Sequence, residues 1–284
     1  LEQKVKERTI ELRESNQKLA DSLEELTNTR LKLAEAQRDA MQKEMILARE
    51  IQESILPPRD LVQAKGHAFC GLVIPASYCG GDFWGHRNYS GDRTLLVVAD
   101  VTGHGVAASL ITAVTRSCLD TLESTGTDHA VEDVLAMLSS VVRRSAQGRL
   151  LATAFACLVD PEARTLTYAN AGSRLPYLVS PGGGRPGALT GTGLRLGEDE
   201  APRYMAQVKS YGAGDRLLLY TDGIIECKNS SGEMYGDRRF RRSLQALARE
   251  SAPDLIGKLI QEVEAYCGEI ERDDDWTLVA VQLD

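Results

Sequence analysis

No Cys-x-x-Cys pair occurs in this 284-residue sequence. Its cysteines, Cys70, Cys79, Cys118, Cys157, Cys227 and Cys267, are scattered, which argues against a zinc knuckle or a dense disulfide framework and fits a reducing compartment. Basic excess is also missing: 33 Lys and Arg stand against 41 Asp and Glu, a formal charge of −8, so a nucleic-acid surface is not expected. No stretch approaches the ~20 apolar residues that cross a bilayer, and no signal peptide opens the chain. The first residue is Leu1 rather than Met, and the sequence reads as the cytoplasmic part of something longer.

Glycine and proline are absent from the first 56 residues, although the chain holds 25 and 9 of them. Apolar residues recur there every seven positions, at Val5, Leu12, Leu19, Leu26, Leu33, Ala40 and Leu47, which predicts a long helix with a coiled-coil seam. Four positions further on, the companion seam reads Thr9, Asn16, Leu23, Arg30, Gln37, Glu44 and Ile51. Half of the interface is therefore polar, with Asn16 able to fix register and Arg30 and Glu44 weakening the middle. A parallel homodimer through residues 1–56 is expected, and a coil with a weak middle can transmit a signal. Pro57-Pro58 stop the helix.

Residues 57–284 have a mixed pattern. Apolar runs near 68–75, 93–100, 152–159, 164–170, 174–179, 203–211, 215–221 and 276–283 predict strands. Helical periodicity covers 107–122, 131–142, 238–249 and 254–270. Strands and helices in blocks predict a largely antiparallel sheet layered with helices. The glycine-rich stretch from Pro181 to Gly197 lacks the lysine of a phosphate loop and reads as a surface connection.

Four aspartates stand where such runs begin or end: Asp82 after Gly80-Gly81, Asp100 closing one run, Asp222 closing another, and Asp274 just before the last. Antiparallel neighbours place the end of one strand beside the start of the next, so these carboxylates can converge. Gathered at a sheet edge they repel, and either a shared proton or a bound cation resolves the repulsion. Hard oxygen donors suit magnesium or manganese, and two such ions can clamp a phosphoryl group. Each Asp-Gly alone is a turn signal; as a set they point to metal.

Six blocks, Ala48-Arg-Glu-Ile-Gln-Glu-Ser-Ile-Leu-Pro-Pro58, Cys79-Gly-Gly-Asp-Phe83, Val98-Ala-Asp-Val-Thr-Gly-His-Gly105, Tyr168-Ala-Asn-Ala-Gly172, Tyr220-Thr-Asp-Gly-Ile-Ile-Glu226 and Asp274-Asp-Trp-Thr-Leu278, resemble in kind and order those of bacterial metal-dependent serine/threonine phosphatases of the type 2C class. The resemblance covers residues 48–284 and is to the branch of the sporulation stage II phosphatase and the stress sigma-factor regulators. It implies an α+β fold, an αββα sandwich of two mainly antiparallel sheets, preceded by the coiled-coil helix. It also implies two Mn2+ or Mg2+ ions. Asp100 would bridge both, the Val101 carbonyl would bind one, Asp222 and Asp274 would complete the other, and Asp82 would assist at the first. Asp100 and Asp222 would be the catalytic carboxylates, and a metal-activated water would attack phosphoserine or phosphothreonine in line. The implied substrate is a small signalling protein of anti-sigma-factor-antagonist type. By the same resemblance, the helix is a linker behind a membrane sensor, and its dimerisation switches the enzyme.

The chain departs from that pattern at Gly85, where many relatives carry a second acidic residue, and at Ser173, where histidine is frequent. His104 lies two positions from the acid histidine of eukaryotic members and is expected to serve the turn. Cys79, Cys118 and Met137 read as core, and Trp84 and Trp276 as packing residues beside the site. Competing motifs fail on spacing. Gly80-Gly-Asp-Phe83 lacks the second acid of a diguanylate cyclase hairpin. Asp273-Asp-Asp275-Trp-Thr277 resembles an aspartyl-phosphate loop, but only seven residues follow it. No cysteine has an arginine six positions on, and no histidine precedes His67 to serve a kinase. The expected activity is protein phosphatase; the alternatives are a degenerate phosphatase fold that only docks a partner, and a coiled-coil scaffold.

Overall fold

A computed structural model describes residues 2–103 and 105–284. Without glycine or proline to interrupt it, α1 runs unbroken over Glu2–Ile55. Residues 1–47 and 48–284 form two compact units. In the first, the seam residues Val5, Leu12, Leu19, Leu26, Leu33 and Leu47 are all exposed. No helix among the described residues is long and apolar enough to cross a membrane.

The second unit contains, after the end of α1, strands β1 (Val62–Ala64), β2 (His67–Ile74), β3 (Asp82–Asn88) and β4 (Thr94–Val101). Helices α2 (Val106–Ser124) and α3 (Val131–Ala146) follow, then β5 (Ala152–Asp160), β6 (Thr165–Ala171), β7 (Tyr177–Val179), β8 (Gly187–Ala188), β9 (Gln207–Ser210) and β10 (Arg216–Tyr220). Helices α4 (Gly223–Glu226), α5 (Gly236–Ala246) and α6 (Ala252–Cys267) lead to β11 (Trp276–Leu283). The strands form a six-stranded sheet ordered β1-β2-β11-β10-β7-β8 and a five-stranded sheet ordered β3-β4-β5-β6-β9. All the pairings are antiparallel.

Three apolar clusters hold four layers together. Phe69, Trp84, Leu96, Phe155, Leu217 and Val279 fill the space between the sheets. On the outer face of the five-stranded sheet, Phe83, Val97 and Ala154 meet Leu135 and Leu138 of α3. On the outer face of the other, Leu218, Leu278 and Ala280 meet Phe240 of α5 and Leu259 of α6. Central strands are thus buried on both faces, which is why β4 and β5 read as near-continuous apolar runs. The result is the expected αββα sandwich. The run pattern alone pointed to one layered sheet; the strands divide into two because each helix pair needs an apolar face of its own.

The structure adds β1, β3 and β8 to the expected strands. β3 escapes the run pattern because Asp82, Gly85, His86 and Arg87 break its apolar content, although Phe83 and Trp84 are fully buried on opposite faces. Helix α6 begins at Ala252, ahead of residue 254 where its periodicity starts, and the Ser251 side chain accepts from the Asp254 amide there. It ends at Cys267 rather than residue 270, because Gly268 takes φ 66°.

Candidate metal centre

Asp82 and Asp100 are directly opposite each other in the β3–β4 ladder. By alternation they share the face that carries Trp84 and Val98 into the space between the sheets. Asp222 and Asp274 come from the other sheet, where β10 and β11 pair with Tyr220 opposite Leu278. One aspartate follows the end of β10 and the other precedes the start of β11, so they are neighbours. The acidic residues therefore meet across the sandwich, not along the edge of one sheet. Asp100 feels the charges of Asp222 and Asp274, and Asp274 that of Asp222.

The aspartates have unequal surroundings. Asp82 is buried, and its Oδ2 accepts from Thr221 Oγ1 and Thr277 Oγ1, each at 2.7 Å. Burial, followed by the charges of Asp100 and Asp275, raises its pKa well above the ordinary carboxylate value, against the pull of the two hydroxyls. It also shares a hydrogen bond with Asp100; between two carboxyls that bond needs one proton, and the more deeply buried Asp82 is the group to carry it. Asp100 itself is pushed up to about 7, by burial first and then by Asp222 and Asp274. Asp274 is raised by burial and by Asp222, opposed by the Asp275 amide.

Asp275 has a different task, and the sequence pattern did not single it out. It is buried, and its carboxylate accepts from Ala76 N at 2.8 Å, Gly81 N at 2.6 Å and Asp82 N at 3.3 Å. These bonds use its oxygens to fasten the turn before β3. Gly81 is required there, because a Cβ would come within 2.5 Å of the Val101 carbonyl. The same turn is held by Thr112 Oγ1, which donates to Gly81 O at 2.6 Å, and by Gln52 of α1, bonded to Gly80. Thr112, Thr221, Thr277 and Gln52 were also unforeseen. The signals for Gln52 are its place in the Ala48–Pro58 block and its position as a polar residue on the face of Ala48 and Ile55, where α1 loses exposure.

Asp222 borders a cleft of about 380 Å³ shared with Thr153, Ser173, Arg174 and Thr221. Arg174 is ion-paired with Glu226 and brings a guanidinium to a cleft whose other charged group is a carboxylate. Ser173 is tied to Asn170, its amide donating to Oδ1 at 2.7 Å and its carbonyl accepting from Nδ2 at 3.0 Å.

Position 85 lies on the opposite face of β3 from Asp82. A Cβ at Gly85 would run into the Arg116 guanidinium of α2, so the missing acid there removes no oxygen from the face between the sheets. Trp84 and Trp276 are buried packing residues, as is Cys79, and Cys118 and Met137 pack against the core. His104 lies outside the described residues.

The donor set fits hard divalent ions by its chemistry: carboxylates raised in pKa by burial and then by their neighbours' charge gain from a nearby cation. Among the described residues no group of three His, Cys, Asp or Glu is already closed around an ion-sized space. The hydrogen bonds explain this, since Asp82 and Asp275 spend oxygens on hydroxyls and amides. Asp100 shares a hydrogen bond with Asp82, and Asp274 Oδ1 accepts from the Asp275 amide at 2.9 Å, which leaves Asp274 Oδ2 and the Asp222 carboxylate, with the Val101 carbonyl beside Gly81.

Comparison with known proteins agrees with this architecture. Residues 90–284 match the family described as Stage II sporulation protein E (SpoIIE). Phosphoserine phosphatase RsbU of Bacillus subtilis is 25% identical over 246 residues, 85% of this chain and 70% of RsbU. Phosphoserine phosphatase RsbP of the same organism is 27% identical over 189 residues, but the chain spans only 45% of it. Among solved structures, the SiaA-PP2C domain of Pseudomonas aeruginosa superposes with a TM-score of 0.75 at 26% identity, covering 88% of this chain and 98% of that one. RsbX, solved in complex with magnesium, shares the fold at 17% identity with a TM-score of 0.58. With more than half its length matched, the chain belongs to the SpoIIE family and is a PP2C-type serine/threonine phosphatase.

Proposed function

We propose that this chain removes phosphate from phosphoserine or phosphothreonine on a small signalling protein of anti-sigma-factor-antagonist type, using Mn2+ or Mg2+. We further propose that dimerisation through residues 1–56 controls it, and that it forms the cytoplasmic part of a membrane-anchored sensor. The observation that carries the reading is the meeting of Asp100 from one sheet with Asp222 and Asp274 from the other. Asp100, Asp222, Asp274 and the Val101 carbonyl would hold two ions. Asp82 would support Asp100 through their hydrogen bond, and Thr221 and Thr277 would hold Asp82 in place. When bound, such ions neutralise phosphoryl charge and acidify water. Arg174, at the cleft beside Asp222, would meet the phosphoryl oxygens of an arriving substrate, exchanging Glu226 for them.

Support from relatives is in their names: RsbU and RsbP are phosphoserine phosphatases. The test is phosphate release from a panel of phosphorylated signalling domains, with chelator and then manganese add-back. Metal-dependent release that disappears in Asp100→Ala is the expected result. Release that survives intact in Asp100→Ala would falsify the assignment.

A further inference from the structure

Gln52 is the buried residue of α1, only 6% exposed, near the end of a helix whose other described side chains are half-buried or exposed. Its carboxamide grips one residue at both polar atoms. Gly80 N donates to Oε1 at 3.0 Å, and Nε2 donates to Gly80 O at 2.7 Å. A side-chain amide here does what a neighbouring strand does in a ladder, satisfying both backbone groups of a residue outside the sheet.

The grip is placed where small movements matter. The next residue, Gly81, is held by Thr112 of α2 and by Asp275 before β11, and the one after it is Asp82, opposite Asp100. Helix α1 is thus one of three elements that fix this turn, and its Gln52 bonds both the donor and the acceptor of one residue, whereas Asp275 only accepts, from Gly81 N and Asp82 N, and Thr112 only donates, to Gly81 O. Beside that helix end lies a cavity of about 290 Å³ bordered by Arg49, Gln52, Leu56, Val73 and Trp84. Packing is open there, so hydrogen bonds carry more of the task of positioning than apolar contact does.

We propose that Gln52 is a positioning residue, which sets the Gly80-Gly81-Asp82 turn from the end of α1 and thereby tunes how strongly the acidic set takes divalent ions. This rests on the metal-dependent reading above and gives the proposed helix control a physical point of contact. Only glutamine satisfies the geometry: asparagine is one methylene short, glutamate accepts but does not donate, and methionine fills the space with no polar contact.

The test uses the full chain with Gln52→Glu and Gln52→Met. Manganese binding is measured by calorimetry, hydrogen exchange is followed at Gly80 and Gly81, and 4-nitrophenyl phosphate gives kcat and KM. Loss of a buried hydrogen bond is expected to weaken manganese binding ~5–10-fold and to speed exchange at these amides by a similar factor. KM for the aryl phosphate at saturating manganese should be unchanged. Arg49→Ala, which breaks the exposed pair with Glu53 on the same turn, should behave as the native chain. Folded variants that bind manganese as the native chain does would overturn the proposal. So would protection lost evenly across the whole domain, which would mark a structural role only. Should Gln52→Met not fold, the isosteric Gln52→Glu decides alone. If the native chain binds manganese but releases no phosphate, the phosphatase reading fails, and binding and exchange still decide the role of Gln52.

Discussion

Along α1, Val5, Leu12, Leu19, Leu26, Leu33 and Leu47 are 50 to 64% exposed, whereas in residues 48–284 Phe69, Phe83, Phe155, Leu138, Leu166 and Leu219 are fully enclosed. Both sets are apolar and both are regularly spaced. What differs is how far away the partners lie in sequence. In the sandwich, a strand finds its complement within the same chain, as β2 does in β11. A single helix has no such return, and its seam stays in water unless a second copy covers it. One unit encloses its apolar residues within itself, then, and the other leaves them in water.

The largest effect that separates the two is chemical. Asp100→Ala should lower manganese-dependent phosphate release by ~10³-fold or more while leaving self-association, followed by light scattering, as it is. Phe155→Ala, between the sheets, should destabilise residues 48–284 by about 3–5 kcal/mol in denaturant melts, with no change in helix pairing. Conversely, Leu19→Lys with Leu26→Lys should weaken dimerisation by ~10–100-fold in sedimentation without moving the melt of the sandwich. A sandwich that melts earlier in that double variant would show the two regions to be less independent than their burial indicates.

A smaller effect is a pH slope confined to the sandwich. Asp100 holds its proton to about pH 7 in the fold, against an ordinary value of 3.8. As pH rises through that interval the unfolded chain releases this proton first, so the stability of the metal-free protein should fall between about pH 4 and pH 7 and level off above. Subtracting the melt profile of Asp100→Asn from that of the native chain in chelator isolates the contribution; a difference that rises with pH would contradict it. The smallest effect is at the surface. Breaking the exposed Lys65–Asp92 pair with Lys65→Ala should leave the melting midpoint of the sandwich where it is in the native chain.

Much of this was legible in the residues, for identifiable reasons. β4, β5, β10 and β11 are buried on both faces, so their apolar runs were conspicuous, and the aspartates at their ends could be placed with them. α1 declared itself through what it lacks. The features that escaped depend on contacts between distant residues. β3 is a strand because β4 accepts it, not because its own residues alternate cleanly. Asp275 differs from Asp274 by one position, yet its oxygens answer amides 199 and 194 residues away. Gln52 stands apart from the other glutamines of α1 by its place in the Ala48–Pro58 block, but its task could not be read without Gly80. Local pattern reveals what local energetics decide, and a turn fastened by three remote side chains is not decided locally.

The position of β11 has a consequence for how the protein comes into being. This last strand pairs with β2 on one side and β10 on the other, and Asp274 and Asp275 lie just ahead of it. During synthesis, the N-terminal turn carrying Gly80 to Asp82 emerges about 200 residues before the carboxylate that ties it down. Until then the six-stranded sheet is split, and its inner apolar face is open. The nascent chain thus lacks Asp274 and Asp275 while it is most vulnerable to aggregation, and both arrive together with β11. Arrival of β11 is therefore the event that brings Asp274 and Asp275 to the turn of Gly80 to Asp82.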